Sequence, residues 1–228
     1  MIRLKSTLSL FSLLIIALLF SACSKSGSGT KFIPDDAMGV VVINGTQMGK
    51  KIAWDAIFNS EISKHIDDSS SSKDIETGID FLNFFYGYAL PDQRMPDGSK
   101  AFAVIPLSNE SKWENFLKKS FPKATKKEGD ITVMVLNDHI VAAWKGKTAI
   151  VCGVKDEGIV ESSTALLEES AIAAFSIAED KNINKDAKFT ALQKKGYDVS
   201  VWLNQDRIAQ ATGATSNATG LPTNLTKD

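Results

Sequence analysis

The sequence predicts an α+β fold: one antiparallel sheet of about six to seven strands, with helices packed on one face of it. Two observations lead to this class. Three strand-like segments follow one another at 131–136, 140–144 and 148–154, and joints as short as theirs can connect only antiparallel strands. Helical patterns also occur in groups before, between and after the strands, which is typical of α+β domains rather than of alternating α/β ones.

The elements are expected in the order β-α-α-β-β-α-β-β-β-α-α-β. Strands are predicted from short β-branched runs or from alternation of apolar and other residues, at 39–44, 84–90, 101–107, 131–136, 140–144, 148–154 and 198–203. Helices are predicted from apolar residues at helical spacing and from capping residues. They are expected at 46–59 after Thr46, at 60–66, after the Ser111-x-x-Glu114 capping box, at 157–175 and at 188–195.

Residues 31–204 are expected to form this one domain, since about 170 residues can bury a full core. The preceding residues 23–30 are rich in serine and glycine, which predicts a flexible tether. The following residues 205–228 are predicted to be a short helix and a disordered polar tail, because no core-forming pattern continues beyond Gly213.

Composition excludes several classes of protein. The chain has 228 residues, 43% of them hydrophobic, and its 26 basic and 27 acidic side chains give a net charge of −1. This balance excludes the broad basic surface that binds phosphate backbones, so no nucleic-acid partner is expected. Two cysteines are too few for a disulfide-rich scaffold.

Residues 1–22 have the three-part layout of a secretory signal peptide. Arg3 and Lys5 precede an apolar run over 8–20, and two small residues then lead to Cys23. The run is shorter than the roughly 20 residues that span a bilayer comfortably. An ordinary cleaved signal with a chance cysteine, or a short signal anchor, remain alternatives to the interpretation that follows.

The segment Leu19-Phe20-Ser21-Ala22-Cys23 resembles the lipobox of bacterial lipoproteins. The resemblance implies that Cys23 carries diacylglycerol, becomes the acylated first residue after cleavage and attaches the protein to a membrane, with palmitate among the expected chains. Ser24 provides no acidic retention signal, so the outer membrane of the cell envelope is the expected location. Whether the domain faces the periplasm or the cell surface stays open.

No group of residues predicts a catalytic or metal site. Cys152 lies in a predicted strand without a cluster of positive charge around it, so it is expected to be a buried core residue. The two histidines, His65 and His139, stand far apart and give no zinc pattern. No Gly-x-Ser-x-Gly nucleophile motif occurs. We therefore predict no catalytic residue, no metal and no cofactor.

Four aromatic residues form a speculative binding surface: Tyr86, Tyr88, Trp144 and Trp202. Tyr86 and Tyr88 share one face of a strand, while Trp202 lies on the opposite side of its strand from Val199, Val201 and Leu203. If the sheet leaves one face uncovered, the rings would make a platform for sugars or peptides. The alternative is ordinary core packing under helices, and the exposure of the rings decides between the two.

Three segments resemble an uncharacterised family of Gram-negative bacterial lipoproteins that carries only a domain-of-unknown-function label. They are Phe32-Ile33-Pro34-Asp35-Asp36-Ala37-Met38-Gly39-Val40-Val41-Val42-Ile43-Asn44, Thr77-Gly78-Ile79-Asp80 and Tyr197-Asp198-Val199-Ser200-Val201-Trp202-Leu203-Asn204. The resemblance covers about residues 31–204 and implies no catalytic residues. Family members are usually longer, so the chain is expected to be an N-terminal portion or a short natural form, and an uncovered sheet edge near 198–203 would fit a missing half.

The expected function is that of a membrane-anchored envelope lipoprotein acting as a non-enzymatic binding or structural module, with a protein or glycan partner. One alternative is an envelope hydrolase whose site is built from loops, with Asp67, Asp68, Asp80, Asp138 and His139 as candidate polar residues. A second alternative is a chaperone-like partner for exported proteins, which requires an exposed apolar groove.

Overall fold

The computed structural model describes residues 28–49, 51, 77–92, 94, 98–154 and 163–212. In these ranges, eight strands form one fully antiparallel sheet in the order β4-β5-β6-β7-β3-β2-β1-β8, together with five α-helices, which confirms the α+β class. The strands are β1 Gly39–Asn44, β2 Phe84–Pro91, β3 Ser99–Pro106, β4 Thr125–Glu128, β5 Ile131–Asn137, β6 Ile140–Lys145, β7 Thr148–Gly153 and β8 Val199–Leu203.

The helices are α1 Gly45–Gly49, α2 Glu110–Ser120, α3 Ser163–Ala173, α4 Ala187–Lys194 and α5 Gln205–Thr212. Short 3-10 helices lie at Ser28–Phe32, Ala174–Ser176, Glu179–Lys181 and Ile183–Lys185. Strand β4 is the one that the sequence did not predict. Its residues Thr-Lys-Lys-Glu are almost all exposed, so it carries no apolar periodicity and is recognised only by its pairing with β5.

The predicted capping residues are wrong, and asparagines take their place. Asn109, not Ser111, caps α2, because its side chain accepts a hydrogen bond from the backbone nitrogen of Lys112 at 2.9 Å. Asn44, not Thr46, precedes α1 and accepts from the backbone nitrogen of Gln47 at 3.3 Å. Asparagine and serine cap helices about equally well, so the sequence alone did not decide between neighbouring candidates.

Helices cover both faces of the sheet, so the prediction that they pack on one face is wrong. Helix α3 lies over β5, β6 and β7, and α4 lies over β8, on one face. Helix α2 buries Trp113 and Leu117 on the other face, in a second core cluster with Trp144 and Ala142. The reason is visible in β6, where Val141 and Ala143 belong to the first cluster while Ala142 and Trp144 belong to the second.

Secondary structure begins within the segment that the sequence predicts to be a flexible tether. The last three tether residues, 28–30, belong to the 3-10 helix Ser28–Phe32, and Thr30 is buried. The signal peptide, Cys23, the rest of the tether and the tail beyond Thr212 lie outside the described residues. None of the helices in the described ranges is long and apolar enough to cross a membrane.

Candidate binding surface

The predicted aromatic platform does not exist, because all four rings are buried. Tyr86, Tyr88 and Trp202 are 2%, 4% and 8% exposed and belong to the first core cluster. Trp144 is fully buried in the second cluster, on the opposite face of the sheet. Trp202 is covered by α4, where the ring of Phe189 meets it edge-on at 6.1 Å between centroids. The alternative of ordinary core packing is therefore correct.

The opposite face of β8 is exposed and aliphatic. Val199, Val201 and Leu203 are 48%, 57% and 58% exposed. On the neighbouring strand, Val41 is 40% exposed and stands directly beside Val201 in the β1–β8 register. We call these four residues the apolar strip. Clusters of large exposed aliphatic side chains are unusual on a monomeric surface and indicate an interaction site.

Small residues extend this face from the apolar strip toward the middle of the sheet. Gly87 stands opposite Val41, and Ala103 stands opposite Gly87 in the next strand. A Cβ atom built on Gly87 would meet no atom closer than 3.8 Å, so the surface above it is open. Helix α2 packs on the same face only farther along, over the cluster that contains Trp144 and Ala149. The result is a shallow apolar floor bounded by the apolar strip on one side.

The two edges of the sheet differ in charge. On β4, Lys126, Lys127 and Glu128 are all exposed, and charged side chains of this kind prevent edge-to-edge pairing. On β8, the residues Val-Ser-Val-Trp-Leu carry no charge, and no described strand pairs with its outer side. The β8 edge therefore lacks the protection that the β4 edge has.

The residues of the hypothetical hydrolase site are not brought together. Asp80 donates its backbone N–H to Pro106 at the end of the sheet where Thr148 begins β7. His139 accepts a backbone hydrogen bond from Val154, beyond the other end of β7. Five strand steps of about 3.3 Å separate the two ends, so Asp80 lies on the order of 16 Å from the hairpin that carries His139.

Two further observations bear on catalysis. Asp67 and Asp68 lie outside the described residues. In the part of the chain that the structure describes, no three His, Cys, Asp or Glu side chains are grouped so that they could hold a metal ion. The described residues thus assemble none of the constellations on which the hydrolase alternative depends.

Cys152 is a buried core residue, as predicted. Its side chain is free and fully buried in the first cluster. Burial raises the pKa of the Cys152 thiol to about 12, and the nearby positive charge of Lys100 opposes this only in part. A thiol with such a pKa is almost entirely protonated at neutral pH and is a poor nucleophile.

Sequence reasoning missed the apolar strip although its signal was present. The alternation in β8 separates Val199, Val201 and Leu203 from Trp202, but the predicted binding surface lies on the tryptophan side. Which side a helix covers depends on α4, which contacts β8 in the folded chain. A strand pattern identifies two faces and does not say which of them is covered.

Comparisons with known proteins add little to this description. No family model matches the chain, and no curated protein matches it. A solved structure, crystal form IV of TP0453, is similar to it with a TM-score of 0.41 and 13% sequence identity. The match covers 80% of this chain and 66% of that chain, so this chain spans slightly less than two thirds of that protein. Membership of the lipoprotein family named above stays a prediction.

Proposed function

We propose that the chain is a lipoprotein of the cell envelope, anchored through lipid on Cys23, and that its domain is a non-enzymatic binding module for an extended segment of a partner protein. The observation that supports this function is the apolar strip beside the uncharged β8 edge. The lipobox-like segment that ends at Cys23 supports the anchor. A lipid-anchored module of this kind would hold its partner close to the membrane surface.

The unpaired side of β8 suits the addition of a strand. Backbone N–H and C=O groups along an open edge bind an extended peptide through main-chain hydrogen bonds, while alternate side chains provide specificity. Side chains of the added strand that point toward the apolar strip would lie next to Val199, Val201 and Leu203. The partner segment is therefore expected to alternate, with aliphatic residues on that side and few charges.

Burial of the apolar strip would contribute substantially to such a complex. Complete burial of a valine or leucine side chain stabilises by about 1.5–3 kcal/mol. Each residue of the apolar strip is about half exposed, so each would contribute on the order of 1 kcal/mol when covered. Ordering of the bound segment offsets part of this gain, which favours a specific but moderate affinity.

The proposal is tested by crosslinking the full chain in intact envelopes and identifying the crosslinked peptides. Wild-type protein is compared with Val201→Lys, which places a charge on the β8 edge, and with Thr125→Lys, which adds the same charge to the β4 edge. We expect a partner crosslinked at β8 to be lost in Val201→Lys and kept in Thr125→Lys. Thermal unfolding of the three proteins shows that both variants are folded.

Three outcomes would contradict the proposal. Equal capture by wild type and Val201→Lys would show that β8 is not the binding edge. Crosslinks between two copies of the chain at β8 would identify self-association instead of a partner protein. Many unrelated exported proteins at β8 would favour the chaperone-like alternative. The anchor is tested separately, since Cys23→Ala should abolish incorporation of radiolabelled fatty acid and release the protein from membranes.

A further inference from the structure

A cavity of about 290 Å³ lies on the face of the sheet opposite the apolar strip. Its walls are formed by strands β2 and β3, by the end of α3 and by the chain that follows α3. The apolar part of its lining includes Leu90, Phe102, Ala174 and Ile177. Small-molecule sites typically have this character, mostly apolar walls with a few placed polar groups, and start at about 300 Å³.

A buried ion pair between Lys100 and Asp92 lies beside this cavity. Lys100 is only 7% exposed; its Nζ donates to Asp92 at 2.8 Å and to the Ser170 hydroxyl at 2.7 Å. The Ser170 hydroxyl in turn donates to the carbonyl of Leu166 at 2.6 Å. Asp92 also accepts three hydrogen bonds from Arg94, at 2.9–3.0 Å. This network fixes one end of the cavity and engages both cations, Lys100 and Arg94, with one carboxylate between them.

The hydroxyl of Tyr88 is the exception in this cavity. Tyr88 lines it and is 4% exposed, yet its hydroxyl has no hydrogen-bond partner among the residues that the structure describes. The ring cannot easily move away, because it is stacked on Phe102 with centroids 4.7 Å apart and planes 1° from parallel. Burial raises the pKa of Tyr88 well above its ordinary value, so the hydroxyl stays neutral and able to donate. Buried polar groups without partners are rare in native proteins and call for an explanation.

The charge around the cavity indicates which ligands it would take. Asp36 and Glu169 also belong to its lining, whereas the two cations, Lys100 and Arg94, are engaged by Asp92. With Asp92, three carboxylates stand beside two cations, so an anionic ligand would meet an excess of negative charge. An uncharged ligand with an apolar body avoids this repulsion and gains from contact with the apolar walls.

We propose that this cavity is a binding site for an uncharged, mainly apolar small molecule that accepts a hydrogen bond from the Tyr88 hydroxyl. The cavity volume suits a single ring with a short substituent. The site is independent of the apolar strip, because it lies on the other face of the sheet, where Tyr88 and Phe102 belong to the first core cluster and Lys100 is paired with Asp92.

The proposal is tested by titrating the isotope-labelled full chain with three probes and following its amide resonances by NMR. Acetophenone has a carbonyl acceptor, ethylbenzene has the same skeleton without one, and benzoate carries a negative charge. We expect acetophenone to bind about 2- to 12-fold more tightly than ethylbenzene, the range that one hydrogen bond provides, and benzoate to bind most weakly. The shifted resonances should be those of the cavity lining.

Two conservative variants separate the site from general hydrophobic binding. Tyr88→Phe removes only the unpartnered hydroxyl, so the fold should persist and the preference for acetophenone over ethylbenzene should disappear. Tyr86→Phe removes a hydroxyl on the same strand and the same face, but Tyr86 hydrogen-bonds Gln193 at 3.5 Å, and this variant should keep the preference. Val201→Lys should also keep it, which distinguishes failure of this proposal from failure of the β8 proposal.

The proposal would be overturned by any of three results. Equal affinities of acetophenone and ethylbenzene for the wild-type protein would show that the hydroxyl takes no part. An unchanged preference in Tyr88→Phe would place the binding elsewhere. Absence of shifts at the cavity lining with all three probes would show that the cavity holds water only.

Discussion

The buried pair of Lys100 and Asp92 makes the Asp92→Asn variant a sensitive test of the structure. Both side chains are 8% exposed, and the ammonium group of Lys100 has Asp92 and the hydroxyl of Ser170 as its partners. Removing the carboxylate charge leaves a buried cation with neutral acceptors only, the Ser170 hydroxyl and the amide oxygen of the new asparagine. Breaking a buried ion pair in this way costs about 3–5 kcal/mol.

Urea unfolding followed by circular dichroism measures this loss. For a domain of this size, the free energy of unfolding falls by about 2 kcal/mol per molar urea, so the midpoint of Asp92→Asn should be lower by about 1.5–2.5 M. Lys100→Met is the matched control. It leaves Asp92 with its three hydrogen bonds from Arg94 and should cost only about 1 kcal/mol, since an apolar side chain of similar length then fills the site.

The same pair predicts the direction of the pH dependence. Hydrogen bonds from Arg94 and then Lys100 hold the pKa of Asp92 well below its ordinary value of 3.8. Its contribution to stability is therefore present above that value and is lost as the pH falls below it. Asp92→Asn should lack this part of the acid sensitivity. A cost below about 1 kcal/mol for Asp92→Asn, or equal costs for Asp92→Asn and Lys100→Met, would refute the reasoning, because a buried uncompensated charge cannot be that inexpensive.

Two further predictions concern a thiol and a glycine. Burial raises the pKa of Cys152 from 9.0 to about 12, so iodoacetamide at pH 8 should alkylate it at least about a thousandfold more slowly in the native protein than in the unfolded chain. For the same reason, the free energy of unfolding should decline as the pH rises above about 9. Rapid alkylation of the native protein would contradict the burial of Cys152. Gly78→Ala should destabilise more than Gly129→Ala in thermal unfolding. Both glycines have positive φ, 72° and 64°, but a Cβ on Gly78 would lie 2.4 Å from the Asn109 carbonyl oxygen, whereas Gly129 has open space. The expected costs are about 1–2 kcal/mol for Gly129→Ala and about 1–3 kcal/mol more for Gly78→Ala; similar costs would show that the contact of Gly78 with Asn109 is not formed.

Local patterns in the sequence were sufficient for the class of fold and for most strands. β1 is found at the predicted residues Gly39–Asn44, and β5, β6 and β7 are found within one residue of their predicted bounds. These strands are recognisable because β-branched runs and three-residue joints depend on neighbouring residues only. Strand β4 could not be found in this way, since it has no apolar face and exists only through pairing with β5.

The sequence contained more information on the coverage of the sheet than the prediction used. β5, β6 and β7 are nearly continuous apolar runs with buried residues at successive positions, such as Val133 and Met134. Continuous runs of this kind are typical of strands covered on both faces, and they indicate the two-sided packing that α2 and α3 provide.

By itself, the sequence determined most of the strand segments and the separation of each of these strands into two faces, because these depend on residues close together in the chain. It also supports the expectation of a lipid anchor at Cys23. For the edge strand β8, only the tertiary structure decided which face is covered. In β8, the sequence places Trp202 and Val201 on opposite sides, and the packing of α4 buries the tryptophan and leaves the valine exposed. The cavity at Tyr88 likewise depends on α3, some 80 residues away in the chain, because only packing between distant segments determines which buried groups meet a partner.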